Sequence, residues 1–294
     1  MKTAWVIRYG EIGTKSKGIR KMFIERLIRN IEDAMRTERI EYKSIKSLWS
    51  RILLYSTDPK VRLILPRIFG IKSVSEAYEV KASLDEITKA AFKIVRKANP
   101  KTFKVDTQRI TKDIPMTSIQ INSIIGEKIV EEFDIKVDLE NPDLTIGIEI
   151  ISGKAFVFDE KIPGPGGLPL GVEGRVLAIL EDEDDLIAAW LMMKRGCEIF
   201  PITTKLPEIY RPLRRYAYGN KYDIMVVDSL TEKTLRRVIE EYECLGVCVG
   251  GKGKSFLENV KKLRILGLPV YTPSVMLPDE IYDKIRRILF SEVM

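Results

Sequence analysis

The chain has 294 residues, 45% apolar and 31% charged, which suits about two core-forming domains and excludes a mostly disordered protein. Its net charge of +7 is uneven: residues 1–100 hold 22 Lys and Arg against 11 Asp and Glu, whereas residues 101–294 hold 27 against 31. Three cysteines and no histidine exclude a disulfide framework, Ser-His-Asp and Cys-His nucleophiles and any His-ligated metal, and no metal site is expected.

The first residues reach Arg8 too soon for a secretory leader, and no window has ~18 uninterrupted apolar residues, so the chain is read as cytoplasmic with no membrane partner. Thr3–Arg8 is a run of β-formers and reads as a strand. Tyr9–Gly18 follows as a loop with three glycines, flanked by Arg8, Lys15, Lys17, Arg20 and Lys21. The spacing of Phe23, Leu27, Ile31 and Ala34 predicts a helix over 19–35. Glu41–Lys46 and Arg51–Ser56 alternate like paired strands, followed by a short helix at Pro59–Ile68 and a strand at Ser73–Val80.

Ser83-Leu-Asp-Glu86 has the pattern of a capping box and predicts a helix through Ala98. A strand at Thr102–Thr107 leads into a polar loop bearing Arg109 and Lys112, then a helix over 116–133. Leu144–Ile151 and Ala155–Phe158 read as a hairpin turning at Gly153. Lys161-Ile-Pro-Gly-Pro-Gly-Gly-Leu-Pro-Leu-Gly171 is rich enough in Pro and Gly to mark a linker.

Beyond it, strand-like runs (175–180, 198–202, 224–228, 246–249, 269–271) alternate with helical ones (185–194, 207–216, 232–242, 256–266). Further capping-box patterns stand at Ser229-Leu-Thr-Glu232 and Ser255-Phe-Leu-Glu258. Such alternation predicts a doubly wound parallel sheet with its ligand crevice beyond the strands' carboxyl ends. The chain thus reads as 1–60, 61–163, a linker at 164–172, and 173–294.

Arg8-Tyr-Gly-Glu-Ile-Gly-Thr-Lys15 resembles the opening of the tRNA 4-thiouridine synthetases (tRNA sulfurtransferases). Pro115-Met-Thr-Ser118, Asn141-Pro-Asp-Leu-Thr145 and Glu160-Lys-Ile-Pro-Gly-Pro-Gly-Gly-Leu168 resemble that family's THUMP domain and its exit. Leu191-Met-Met-Lys-Arg-Gly196 is similar to the first helix of its PP-loop ATP-pyrophosphatase domain. The resemblance implies a multidomain α/β and α+β protein: a ferredoxin-like α+β domain, an α/β THUMP domain and a Rossmann-like doubly wound parallel sheet. It also implies a tRNA partner, ATP and Mg as cofactors, uridine adenylation followed by sulfur insertion, and in some members thiamine biosynthesis. A homodimer, a sulfur-donor protein or an active synthetase are the further partners it implies. On this resemblance the expected RNA contacts are Arg8, Lys15, Lys17, Arg20, Lys21, Arg109, Lys112 and Lys161.

The nucleotide loop departs from the family. Where relatives carry Ser-Gly-Gly-x-Asp-Ser, this chain has Glu181-Asp182-Glu183-Asp184-Asp185-Leu186, with no glycine and five carboxylates. A carboxylate ~4 Å from a phosphate charge costs about 1 kcal/mol in water and about 4 at an effective dielectric near 20. The same run has a plain reading as carboxylates complementing a helix dipole. Gly250-Gly251-Lys252-Gly253-Lys254 fits neither Walker register but offers a glycine-rich, cationic turn before a helix. No cysteine stands at Asp228 or Ser229, where some members carry one, and Cys244 and Cys248 read as buried small residues. The catalytic residues are therefore left unassigned. The expected function is tRNA binding with a degenerate ATP loop, and the alternative is an active ATP-dependent sulfurtransferase with an altered loop.

Overall fold

β1 (Lys2–Tyr9) is buried on both faces from Ala4 to Arg8, so it must lie inside a covered sheet. The computed structural model describes residues 1–251 and 253–290, with the backbone alone described at 253–255. After β1 come a 3-10 turn at Glu11–Thr14, α1 (Lys17–Thr37), and the hairpin of β2 (Ser44–Leu48) and β3 (Arg51–Tyr55). The expected helix over 59–68 is only α2 (Val61–Ile64) and a 3-10 turn to Arg67, cut short where Pro66 removes a backbone donor. Then follow β4 (Ile71–Lys81), α3 (Leu84–Ala98), β5 (Thr102–Arg109), α4 (Ser118–Phe133), β6 (Lys136–Val137), β7 (Leu144–Ile151), β8 (Lys154–Phe158) and β9 (Ile162–Pro163).

Two compact units emerge among the described residues: Met1–Tyr9 with Thr37–Pro66 and Ile71–Gly164, and Gly10–Arg36 with Arg67–Gly70 and the chain from Pro165. In the first, one sheet runs β2-β3-β1-β4-β8-β7-β5-β6, with β9 paired to β4, so residues of 1–60 and 61–163 share its strands. α3 and α4 cover one face through Ile87, Ala91, Ile94, Ile121, Ile125 and Ile129, packed on Phe103, Ile146, Ile148 and Val157. On the other face Ala4, Val6, Leu53, Ala77, Phe156 and Phe158 are all buried, although no helix of this core cluster covers them. That face is covered because the sheet curls. Arg51 on β3 donates from Nε to Glu149 on β7 at 2.7 Å, although four steps of the strand order separate them. Gly147 makes room for the curl, since a Cβ there would stand 2.2 Å from the Phe158 ring.

The second unit continues with β10 (Arg175–Ile179), α5 (Glu183–Lys194), β11 (Glu198–Thr203), a 3-10 turn at Pro207–Tyr210 and α6 (Arg211–Arg214). β12 (Met225–Val226), α7 (Glu232–Glu241), β13 (Val247–Cys248), α8 (Gly253–Leu263), β14 (Val270–Tyr271) and α9 (Asp279–Phe290) complete it. All strand pairs are parallel in the order β12-β11-β10-β13-β14. The order reverses between β10 and β13, the switch point at which doubly wound folds open their ligand crevice. Leu186, Ala189, Trp190 and Met193 of α5 pack with Tyr282, Ile285 and Leu289 of α9 on one face, and Leu235 and Val238 of α7 on the other.

The segment expected as a linker is not a free tether. Leu168 and Leu170 are buried, Leu168 N–H donates to Lys194 O at 3.0 Å, and a Cβ at Gly167 would meet that same carbonyl at 2.1 Å. α1 belongs to this unit: Arg26 Nε and Asn30 Nδ2 donate to Leu170 O at 2.7 and 3.1 Å, and Gly219 N–H donates to Asp33 at 2.7 Å. Three expected caps also differ. Ser83 precedes α3 without a side-chain cap bond, Thr231 and not Ser229 caps α7, and α8 has already begun at Gly253, ahead of Ser255. Ser83 and Thr231 both carry the extended backbone of a cap, but only the Thr231 hydroxyl accepts a helix N–H, from Thr234 at 3.2 Å.

Candidate nucleotide crevice and nucleic-acid interface

β10 delivers the five-carboxylate run to the switch point, and each carboxylate is engaged. Glu181 accepts the Thr204 N–H and hydroxyl, both at 2.6 Å, and the Thr203 hydroxyl at 3.2 Å. Asp182 caps α5 by accepting the Asp185 N–H at 3.0 Å. Glu183 pairs with Arg286 at 2.8 Å, and Asp184 accepts the Tyr282 hydroxyl, both partners coming from α9. Asp185, 6% exposed, accepts the Gly250 N–H at 2.6 Å and the Glu181 N–H at 2.8 Å. Burial pushes its carboxyl up to about 6, against the pull of those two N–H bonds and with Asp182 adding to the rise.

Gly250 is present because the turn after β13 lies directly on α5. A Cβ at 250 would stand 2.2 Å from the Asp184 carbonyl carbon and 2.4 Å from the Asp185 nitrogen. Gly251 takes a left-handed φ of 117° and is buried. Lys252 and the side chain of Lys254 lie outside the described residues. At the end of β12, Asp228 and Ser229 are exposed. The thiols of Cys197 and Cys244 are buried and pushed up to about 11, and the wholly buried Cys248 is pushed higher, so none is poised as a nucleophile. Among the described residues no group of three or more Cys, Asp or Glu side chains is placed to hold a metal, and no helix is long and apolar enough to cross a membrane.

The expected RNA-contacting cations divide. Arg8 is corrected: it is buried, donating from Nε to Glu149 at 2.6 Å and from Nη1 to the Ser75 hydroxyl at 3.0 Å, with its guanidinium over Phe158. Burial alone would raise the Glu149 carboxyl, but hydrogen bonds and charges from Arg51 and Arg8 outweigh it and hold Glu149 low. In the second unit Arg20 clamps the 3-10 turn, donating to Gly13 O at 2.7 Å and Lys15 O at 3.3 Å. Lys15 lies half-buried over Phe23, and Lys17 and Lys21 are exposed on the first turns of α1. In the first unit Arg109 ends β5 half-buried and Lys112 is exposed after it, while Lys161 lies near Asp106 at 3.4 Å and over Phe158.

Sequence reasoning passed over Glu149, Arg51 and Gln108, which join Arg8 in one buried network, and the helix α9 that engages the acidic run. The signal for Glu149 was the single charged residue in the strand Leu144–Ile151.

The curled sheet followed by a five-stranded parallel sheet is an architecture shared with known proteins. The ThiI ferredoxin-like domain model matches residues 4–75 and the THUMP domain model matches residues 81–159. A probable tRNA sulfurtransferase of Thermococcus kodakarensis is 33% identical over 96% of this chain and 87% of its own length. One from Methanocaldococcus jannaschii is 39% identical over 82% and 69%. The crystal structure of PH1313 from Pyrococcus horikoshii, 37% identical, superposes with a TM-score of 0.88 over 97% of this chain and 98% of that one. A 4-thiouridine synthetase crystallised with RNA and bound ATP superposes with a TM-score of 0.78 at 26% identity, over 98% and 85%. The chain belongs to the tRNA sulfurtransferase family.

Proposed function

We propose that this chain is a tRNA-binding member of its family, with a ferredoxin-like domain at 1–60, a THUMP domain at 61–163 and a crevice in 173–294 that does not take ATP. The RNA reading is supported by the THUMP match, the RNA-bound relative and the basic excess of residues 1–100. Lys15, Lys17, Lys21, Arg109, Lys112 and Lys161 are its phosphate contacts; Arg20 holds the turn that presents Lys15.

One observation carries the nucleotide half. The Asp185 carboxylate takes the Gly250 and Glu181 N–H donors at the switch point, so the protein's own anion fills the place of a phosphate. The residues present therefore do not fit a triphosphate. Its charge would face five carboxylates, and the Glu181, Asp185, Thr204 and Gly250 N–H groups are already taken by side-chain carboxylates. Thio-modification, if this chain takes part in it, then depends on a partner for adenylation.

Calorimetric titration of the full chain with ATP and Mg²⁺, with and without tRNA, tests this. We expect no saturable ATP binding and no pyrophosphate release. Release of pyrophosphate from ATP that depends on tRNA would overturn the reading and make the chain an active sulfurtransferase.

A further inference from the structure

A groove of about 660 Å³ opens in the first unit where β1 begins, β3 ends and the chain enters β2. Small-molecule sites usually enclose ~300–1,000 Å³. The two chain segments that wall this one are fastened to each other. Lys43 N–H donates to Tyr55 O at 2.7 Å, and the Ser56 hydroxyl donates to Glu41 O at 2.5 Å. Buried Tyr55 carries the Lys2 ammonium 3.7 Å over its ring. Tyr42, held between the two fastened residues Glu41 and Lys43, lines the groove and is 39% exposed. Among the described residues no other ring or cation lies on its face, and Lys43 beside it is exposed without an ion pair. Glu41 is exposed as well. An aromatic ring, two cations and one carboxylate thus line a single groove on a fixed backbone.

Each of these groups asks something different of a ligand. The Tyr42 face takes a flat ring. Lys2 and Lys43 take a negative charge, and the Glu41 carboxylate takes N–H donors and offers none. A flat ring, a donor edge and a negative charge come together in a nucleotide. Among the bases, guanine sets two donors side by side, N1–H and its amino group, to meet the two oxygens of a carboxylate. Uracil offers one donor, and adenine and cytosine set a lone pair beside their amino group. Bases in a duplex keep their faces and these edges inside the helix, so only an unpaired nucleotide fits. We propose that this groove binds one unpaired guanine nucleotide, with its base on Tyr42, its donor edge on Glu41 and its phosphate between Lys2 and Lys43. The same chemistry is offered by a free mononucleotide and by an unpaired guanosine of an RNA. The site goes beyond the tRNA-binding reading: it belongs to the first unit and shares no residue with the switch-point crevice.

Calorimetric titration of the full chain with GMP, UMP and inorganic phosphate tests this. GMP is expected to bind saturably and more tightly than UMP, with phosphate alone weaker than either. Tyr42→Ala should weaken GMP binding roughly five- to a hundredfold. Tyr42→Phe should keep it, which separates lost stacking from lost folding. Glu41→Gln should lower the preference for GMP over UMP, and Lys43→Glu should weaken both nucleotides alike. A duplex RNA with an unpaired guanosine tail identifies the source. If tailed RNA displaces GMP and the blunt duplex does not, the groove takes an RNA terminus; if GMP stays bound beside the RNA, it takes the free nucleotide. Equal affinity for GMP and UMP would overturn the guanine assignment. The groove as a whole is overturned if Tyr42→Ala matches the wild type with both GMP and tailed RNA. Failure of the tRNA-binding reading looks different: the wild-type chain would bind no tRNA, whatever it does with GMP.

Discussion

Arg51 Nη2 and Gln108 Oε1 are 3.0 Å apart, although β3 and β5 are five steps apart in the strand order. At ~4.8 Å per step, a flat sheet would hold those strands about 24 Å apart. Two side chains cannot span that gap, so the sheet is rolled until its early and late strands meet. Glu149 stands at the closure with Arg8 and Arg51 as its partners.

Removing the anion from this closure should be costly. Glu149→Ala leaves two buried guanidinium groups facing each other, and loss of one member of a buried ionic group typically costs about 3–5 kcal/mol. Chemical denaturation should show that loss. A variant within about 1 kcal/mol of the wild type would mean that the network is solvated and the sheet more open than described.

Asp185 makes stability depend on pH in a direction opposite to an ordinary salt-bridged carboxylate. Its carboxyl lies near 3.8 when unfolded and about 6 when folded, so between those values the native chain holds a proton that the unfolded chain has released. Stability is therefore lower above pH 6 and recovers as the pH falls through that window, by on the order of 3 kcal/mol. Glu149 acts the other way: its contribution is present above its ordinary value of 4.5 and is lost only as the pH falls below that. Thermal melting at pH 7 and pH 5 should show wild type gaining on Asp185→Asn as the pH drops. Parallel profiles for the two proteins would remove the buried, ionised Asp185 from the account.

Binding of tRNA should be steeply salt-dependent, and Lys17→Glu and Lys21→Glu should each lower the slope of log K against log salt by about one. Both side chains are exposed, so folding should be untouched. An unchanged slope in both variants would move the phosphate contacts away from the start of α1.

Periodicity made the long elements legible: the apolar stripe of α1 and the alternation of β7 and β8 come through from neighbouring residues alone. The role of Arg8 did not. A cation beside a glycine-rich loop looks the same in sequence whether it faces water or a carboxylate 141 residues away. The acidic run was visible as composition, but its meaning depends on Thr204, Gly250 and Tyr282, which lie 23, 65 and 98 residues from the carboxylates they engage. Two-residue strands such as β12 and β13 give too few residues for a period to register, and the predicted runs there came out longer than the paired ones.

The placement of α1 has a consequence for how the protein is made. Its Arg26 waits for Leu170 and Gly219, which follow it by 144 and 193 residues. At a synthesis rate of ~5–20 residues per second, the helix leaves the ribosome roughly 7–40 s before its anchors exist. Throughout that interval Leu27 and Ile31, fully buried in the finished protein, lack part of their covering. The order of assembly thus inverts the order of translation: one of the first helices made is among the last to be seated, and a nascent chain stalled before Gly219 carries it unfastened.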